Sequence, residues 1–536
     1  MTDTFFKGFA IVFLAYLIGI LIGCANPVAP SGGPVDEDPP VLDTAASSPL
    51  LPVNFTDRRI TLTFDEFIQL NDPVNSILIS PPLSKTPEYR VRGRRVVLEF
   101  DEEEELHPNT TYTINFSDAI RDITEGNVLE NFLYAFSTGD FIDSLELSVK
   151  LIDAYTNEPV VGAMAMLHPT GSDSAMFVKK PLYFAVSGED GIARLQYLRA
   201  DSFQLYALKD ENRNFLLDLV SEKVGMYPGE PVTVPYDGEP LSIRMYQRDE
   251  RLFLSHRRWE DGGRLLLKYN RPPESMKIEF PQLDDTIRRT TYGDTLAFHF
   301  PSLPVTDTLL MTATSLPDTR DTVRIPPPRD REVKPLRMKS VQTGLKPGEW
   351  AVFKFNQLLT EVDTSLIQKR DTITETSSGL RNWVVSGDSL KLDLLLDEGD
   401  RGSWGFLPGA VEDIRNQRSD SLEMGFNRST VGNFSRLTLS VEGLDTAYQY
   451  IFIMEGPRGD ETARKIVRGV EGFIWELNNL RPNNYRLKVI EDINHNYRWD
   501  PGNILRRKEA ERVSYHNITE LRANWEFEQT VVPFED

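Results

Sequence analysis

The chain repeats itself, and that constrains its fold more than any other feature. Phe64-Asp65-Glu66 is followed 58 residues after Phe64 by Asp122, within the run Ala119–Ile123; Phe355-Asn356-Gln357 is followed at the same spacing by Asp413, within Ala410–Ile414. Leu145–Val149 (LELSV) has a counterpart in Leu437–Val441 (LTLSV), and the loop Asp210–Asn214 (DENRN) in Asp492–Asn496 (DINHN). Four matches in one order, 282–292 residues apart, define a duplicated unit. Whatever folds once must therefore fold twice, from the same kind of element. That element is a short alternating strand: RITLTF (Arg59–Phe64), RVVLEF (Arg95–Phe100), TYTINF (Thr111–Phe116) and TLAFHF (Thr295–Phe300), each bounded by Gly, Pro, Asn or Asp. Beyond the N-terminus no long window keeps a 3.6-residue apolar period. The expectation is an all-β chain of tandem sandwiches.

A length of 536 residues accommodates about three to five domains, and the repeat divides it into five. Residues 41–140 form a first sandwich, 141–247 a second, and 248–330 a middle β domain closed by Pro326-Pro327-Pro328. Residues 331–434 repeat the first and 435–536 repeat the second.

The N-terminus reads differently. Gly8–Gly23 (GFAIVFLAYLIGILIG) is an uncharged, mostly apolar run preceded by Lys7, shorter than the roughly 20 residues of a spanning helix and matching the core of a secretory signal. It ends Leu21-Ile22-Gly23-Cys24, and Cys24 is the only cysteine in the chain. Branched, small, then Cys is similar to the lipobox of bacterial lipoproteins. That resemblance implies a signal peptide over 1–23, cleaved before Cys24, and membrane attachment through the acylated Cys24, several acyl chains giving an anchor that one cannot. Residues 24–40, dense in Pro and Gly, read as an extended tether. Surface-exported lipoproteins of Bacteroidota carry acidic residues directly after the cysteine; here Asp36-Glu37-Asp38 lies well beyond it. The expected location is the outer membrane, on its periplasmic face rather than the cell surface.

Further resemblances follow from the domains themselves. ITLTFDEFIQL, PEYRVRGRRVVLEF, HPNTTYTINFSDAIRDITEGN and FLYAFSTGD together resemble a bacterial Ig-like domain of the S-layer type, within an arrangement similar to Bacteroidota envelope lipoproteins. Residues 141–247, with VKLIDAYTNEPVVGAMAML and GEDGIARLQYL, resemble transthyretin-like or carboxypeptidase-regulatory β modules. The later copy departs from the first at Asn356 and Gln357. These families imply a noncatalytic envelope protein.

Composition narrows the alternatives. With 59 Lys and Arg against 81 Asp and Glu, the formal charge is −22, which argues against nucleic acid. One cysteine excludes an intrachain disulfide and a Cys-rich zinc site. The six histidines show no HExxH, and there is no GxSxG elbow, phosphate-binding GxxxxGK[ST] loop or dinucleotide fingerprint. Neither a nucleotide nor a nucleic acid partner is expected.

Among candidate sites, the two DxNxN loops stand first. Asp210, Asn212, Asn214 and Asp218 occupy positions 1, 3, 5 and 9 of one; Asp492, Asn494, Asn496 and Asp500 do so in the other. Alternate oxygen side chains on a tight loop can converge on calcium. Both loops lack the Gly at position 6 and the Glu at position 12, and the competing reading is an Asx-turn hairpin. Adjacent Asp65 and Glu66 would suit a glycosidase only if they faced one another across a substrate, whereas strand neighbours point to opposite faces. The run Asp101–Glu105 reads as a solvated loop. Seven tryptophans, Trp259, Trp350, Trp383, Trp404, Trp475, Trp499 and Trp525, pack in cores or stack on sugar rings; Trp499, inside a polar loop, is the one to test. Asp-Ser/Thr before an apolar residue, as in Asp143-Ser144-Leu145 and Asp388-Ser389-Leu390, is similar to a Bacteroidota O-glycosylation acceptor and also to a turn entering a strand.

The expected function is a lipid-anchored, noncatalytic envelope protein, structural or adhesive, presenting β-sandwich surfaces to another envelope protein. A glycan-binding accessory lipoprotein is the alternative, and a carboxylate-based hydrolase the more distant one. No cofactor is expected beyond structural calcium.

Overall fold

Alternation along each strand decides which side chains are buried. In Arg59–Thr63 (β1), Ile60 and Leu62 turn inward, both 1% exposed, while Arg59 faces solvent. The computed structural model describes residues 36–534, except 131, 172–173, 249–251, 261–262, 274–275, 284–286, 302–307, 316–318, 329–333 and 371–378. Leu21, Ile22, Gly23 and Cys24 lie outside the described residues. Strands dominate, helices are single turns, and no described helix is long and apolar enough to cross a membrane. The protein is all-β, a tandem of sandwiches.

Two compact units divide the chain. One comprises Met1–Leu151, Val161–Leu217 and Gly229–Ser242; the other Ile152–Val160, Asp218–Pro228 and Ile243–Asp536. Segment 141–247 therefore contributes to both.

In the first unit, β1 and Ile68–Leu70 (β2) are followed by Leu78–Ser80 (β3), Glu88–Arg92 (β4), Arg95–Glu99 (β5), Thr111–Asn115 (β6), Ile120–Asp122 (β7) and Leu133–Ser137 (β8). They form the sheets β1-β5-β4, β2-β7 and β3-β6-β8. The sheets enclose Phe64, Leu98, Tyr112, Ile114, Phe116 and Phe136, and Tyr112 stacks on Phe136 with ring centroids 5.2 Å apart. Beyond this sandwich, Met164–Pro169 pairs antiparallel with Tyr183–Val186 and with Asp201–Leu208, and Ile192–Leu198 with the Leu145–Asp153 strand.

In the second unit, the middle segment builds a sheet from Leu254–Glu260, Arg264–Tyr269, Thr295–His299 and Arg288–Tyr292. The next sandwich buries Trp404, Phe353, Phe406 and Phe426. Its small antiparallel pair joins Leu359 to Asp413, as β2 and β7 join Ile68 to Asp122. The duplication is thus visible as a repeated pairing.

The repeated aspartates do the same work in both copies. Asp122, buried at the end of β7, accepts backbone N–H groups of Glu125 (2.6 Å), Gly126 (2.9 Å) and Asn127 (2.6 Å). Asp413 accepts those of Arg415 (2.8 Å) and Gln417 (2.9 Å). Burial opposes the charge in each. In Asp122 the backbone donors outweigh it and bring the pKa down; in Asp413, with fewer donors, burial prevails and the pKa is raised. Asp65 and its counterpart Asn356 are also equivalent: Asp65 Oδ1 accepts the Val41 N–H at 2.8 Å, and Asn356 Oδ1 the Arg337 N–H at 2.8 Å. An amide oxygen accepts as a carboxylate does, which explains why the copy tolerates Asn. Asp413→Ala strands two part-buried amides and is expected to cost about 1–3 kcal/mol in chemical denaturation, while Asp420→Ala, at an exposed position, stays within about 0.5 kcal/mol.

Candidate functional site

The C-terminal module is two sheets. Phe473–Leu480, Ser435–Val441 and Glu526–Val531 form one; Glu461–Arg468, Gln449–Glu455, Tyr485–Asp492 and Val513–Ile518 form the other, in that order. Every residue of Gln449–Glu455 is buried. Its period of two sends Tyr450, Phe452 and Met454 into the sandwich core. Ile451 and Ile453 go to the opposite face, joining Ile490 and Val513 in a second cluster covered by Tyr155, Trp499 and Tyr515. Tyr155 sits in a turn of Ile152–Val160 and meets Trp499 edge-to-face, centroids 5.0 Å apart. Tyr515 donates to the Tyr155 carbonyl at 2.9 Å, and Asn157 donates to the Val513 carbonyl at 2.7 Å.

Charged groups border this cover. Glu455 is 6% exposed and pairs with Lys488 (2.6 Å) and Arg486 (2.8 Å); Lys488 Nζ also donates to the Tyr155 hydroxyl at 3.2 Å. Burial would raise the pKa of Glu455, but the two cations outweigh it and hold it down. Lys488 is correspondingly raised, its bond to Glu455 overcoming its own burial.

The loop leaving Tyr485–Asp492 carries the second DxNxN sequence. The two oxygens of Asp492 accept the N–H groups of Asn496 (3.0 Å) and Tyr497 (2.8 Å), and Gln449 Nε2 donates to Asp492 at 2.6 Å. Asn494 Oδ1 accepts from Asn496 N at 3.1 Å, and Asn496 Oδ1 from Arg498 N at 3.1 Å. The amides of Asn494 and Asn496 both donate to Asp500 Oδ2. The first loop folds likewise: Asp210 accepts from Arg213 (2.7 Å) and Phe215 (2.8 Å), Asn212 from Asn214 (3.2 Å), and Asn214 from Leu216 (2.7 Å). Asp218, in the other compact unit, has its N–H accepted by Glu222 at 3.2 Å. The Asx-turn pattern is present in both loops, and in the second the side chains of Asn494 and Asn496 also converge on Asp500, while Asp492 holds the backbone of the same turn. Among the described residues no group of three or more His, Cys, Asp or Glu is placed to hold a metal. With the loop oxygens committed to amides, the expected melting temperature is the same in EDTA and in calcium; a rise of several degrees with calcium, abolished in Asp500→Ala, would instead place the ion in the second loop.

One residue that sequence reasoning missed fixes this loop. Glu511 is fully buried; its oxygens accept the N–H groups of Ile493 and Asp500, both at 2.9 Å, and its carbonyl accepts the Trp499 indole N–H at 2.9 Å. The only sequence signal is a Glu next to the Val513–Ile518 strand, with no motif to mark it. Above the loop opens a cleft of about 850 Å³, bordered by Tyr155, Glu455, Arg464, Lys488, Tyr497 and Trp499 among others.

The tryptophans separate. Trp404 and Trp475 are in cores, Trp259 donates to the Pro326 carbonyl at 2.8 Å, and Trp383 and Trp525 are exposed. Asp65 is exposed and Glu66 half-buried. The Glu66 pKa is raised by partial burial and by Asp122 and Asp65.

Comparison with known proteins bears on the first sandwich. Residues 36–138 match the bacterial Ig-like domain family, so the first sandwich is similar to an Ig-like domain. No curated protein matches the chain. Among solved structures, the TIE protein of Bacillus anthracis is 8% identical, covering 94% of this chain and 76% of its own, with a TM-score of 0.13. The S-layer protein SbsC is 9% identical, covering 89% and 67%, with a TM-score of 0.13. SGBP-B of the Bacteroides ovatus mixed-linkage glucan utilization locus, solved with a heptasaccharide, is 10% identical, covering 64% and 90%, with a TM-score of 0.18.

Burial, ahead of the neighbouring Asp500 and Asp492 charges, pushes the Glu511 pKa from 4.5 up to about 7. The folded chain then retains a proton that the unfolded chain releases. Its contribution to stability is full below about pH 4.5 and is lost as pH rises through about 7, by about 3 kcal/mol at most. Melting curves from about pH 5 to 8 should therefore fall less steeply for Glu511→Gln, which cannot ionise, than for the native chain; equal slopes would contradict this assignment.

Proposed function

We propose that this chain is a noncatalytic protein of the bacterial outer membrane, anchored through acylated Cys24, facing the periplasm, and presenting its β-sandwiches to another envelope protein. The observation that carries the reading is the position of the only cysteine: directly after an apolar signal-like run and directly before a Pro/Gly-rich tether. A sole cysteine placed there has no disulfide to make, and acylation gives it a use.

The string of sandwiches suits the second half of the proposal, because strand edges and end loops are the surfaces such modules offer. Leu380–Ser386 is the edge strand of its sheet, paired among the described strands only with Ser389–Leu394. Trp383 and Val384 on it are 42% and 44% exposed. An edge with exposed apolar residues and unpaired main-chain groups is a template for a partner strand.

Metabolic labelling with an alkyne fatty acid, followed by membrane fractionation, tests the anchor: the native chain is expected in the labelled membrane fraction and Cys24→Ser in the unlabelled soluble fraction. In crosslinked cells, Val384→Pro should lose the partner recovered with the native chain while remaining membrane-bound. Recovery of the native chain alone and soluble would end the proposal.

A further inference from the structure

We infer that one pole of the first sandwich, the end carrying Phe67 and Ile123, binds the same pole of a second copy of this chain. The apolar centres meet across a two-fold axis, and the Arg94 turn of each copy lies on the Glu66 side of the other. The surface is separate from Cys24 and from the Leu380–Ser386 edge, so the inference goes beyond both.

The duplication supplies the comparison. In the first copy the Phe64 N–H donates to the Arg94 carbonyl at 2.8 Å, Ile68 to Gly93 at 3.2 Å and Ile123 to Phe67 at 3.0 Å. In the second, Phe355 donates to Asp388 at 2.8 Å, Leu359 to Gly387 at 3.0 Å and Ile414 to Leu358 at 2.9 Å. The two poles share one backbone pattern, which equates Phe67 with Leu358 and Arg94 with Asp388. The second pole is covered by the middle β segment. There the Tyr292 hydroxyl donates to Asp388 at 2.8 Å, Arg264 lies 3.7 Å from the same carboxylate, and Arg415 donates to the Phe300 carbonyl at 3.3 Å. Leu358 is 7% exposed beneath this cover, whereas Val41, Phe67 and Ile123 at the first pole are 60%, 57% and 56% exposed. Clustered exposed apolar side chains rimmed by charge mark an interaction surface.

Charge identifies what fits on it. The residue that meets the cover has changed sign between the copies: Asp388 faces Arg264, so a module like the middle one would set an arginine against Arg94. The bare pole instead carries both signs, sorted to two sides. Arg92, Arg94 and Arg95 stand on the turn between β4 and β5, all exposed, and none of them is ion-paired among the described residues. The Arg94 guanidinium lies over the Phe67 ring, 5.5 Å from its centroid. The acids gather towards Ile123. Asn127 draws in the Asp36 carbonyl at 2.9 Å, and after partial burial the charges of Asp122, Asp65, Asp36 and Glu125 raise the Glu66 pKa.

An apolar centre with arginines on one side and carboxylates on the other is complementary to itself under a two-fold rotation, the symmetry of most homodimers. Turning one copy over the other brings each arginine turn to the carboxylates of its partner, the charge match that fixes register at an interface.

Sedimentation velocity of the full chain, purified in density-matched detergent, tests this. The native chain should dimerise reversibly, with a dissociation constant of about 10 μM or tighter. Phe67→Asp, Arg94→Glu and Glu66→Arg, at exposed or half-buried positions, should each weaken the dimer by about tenfold or more with the melting temperature unchanged. Arg94→Glu combined with Glu66→Arg should restore it to within about threefold, because each pair across the axis is then reversed. A native chain that stays monomeric, dimerisation indifferent to Phe67→Asp, or a double variant no tighter than the single ones would overturn the inference. A monomeric chain that recovers a different protein through Phe67 would assign the pole to that partner instead.

Discussion

A strand buried on both faces needs two covers, and the C-terminal unit is organised by that requirement. Gln449–Glu455 has no exposed residue, and the period of two divides its apolar side chains between two directions. One set enters the module's own sandwich. The other, Ile451 and Ile453, would face water unless another segment supplied apolar surface; Tyr155, Trp499 and Tyr515 supply it. With that cover in place, Ile451, Ile453, Ile490 and Val513 are all at most 5% exposed.

That arrangement buries charge, which is costly unless paired. Glu455 meets two cations, and one of them, Lys488, reaches the Tyr155 hydroxyl. Asp492 and Glu511 meet backbone and side-chain amides instead of cations. These groups tie loop to sheet at fixed positions, so the aromatic residues between them are held in place. The cleft's rigidity thus comes from polar bonds and its shape from apolar packing.

Much of this was legible in the sequence. Alternating runs predicted the strands, and the spacing from Phe64 to Asp122, recurring from Phe355 to Asp413, pointed to a duplicated unit; that Ile68 pairs with Asp122 and Leu359 with Asp413 came from the structure. The DxNxN loops were open between a calcium site and an Asx-turn hairpin; the Asx-turn bonds found in them are local, spanning two to five residues. What depends on distant residues was not legible: Tyr155 and Trp499 meet across the length of the chain, and Glu511 lies in no motif. Nothing in the composition marked which titratable groups would be buried, yet Asp122, Asp413, Glu455, Asp492 and Glu511 are. Charged residues in a composition look alike whether they face water or an amide; only the fold assigns their partners.

The account rests on the segment Ile152–Val160 covering the C-terminal sheet, and a double-mutant cycle tests that contact directly. Tyr155→Ala, Trp499→Ala and the double variant are compared with the native chain by denaturant unfolding of the transition that includes the C-terminal module. Rings that meet edge-to-face at 5.0 Å should show a coupling of about 0.5–1.5 kcal/mol. Losses that simply add would mean that Tyr155 does not cover the sheet, and the cleft would lose one of its walls.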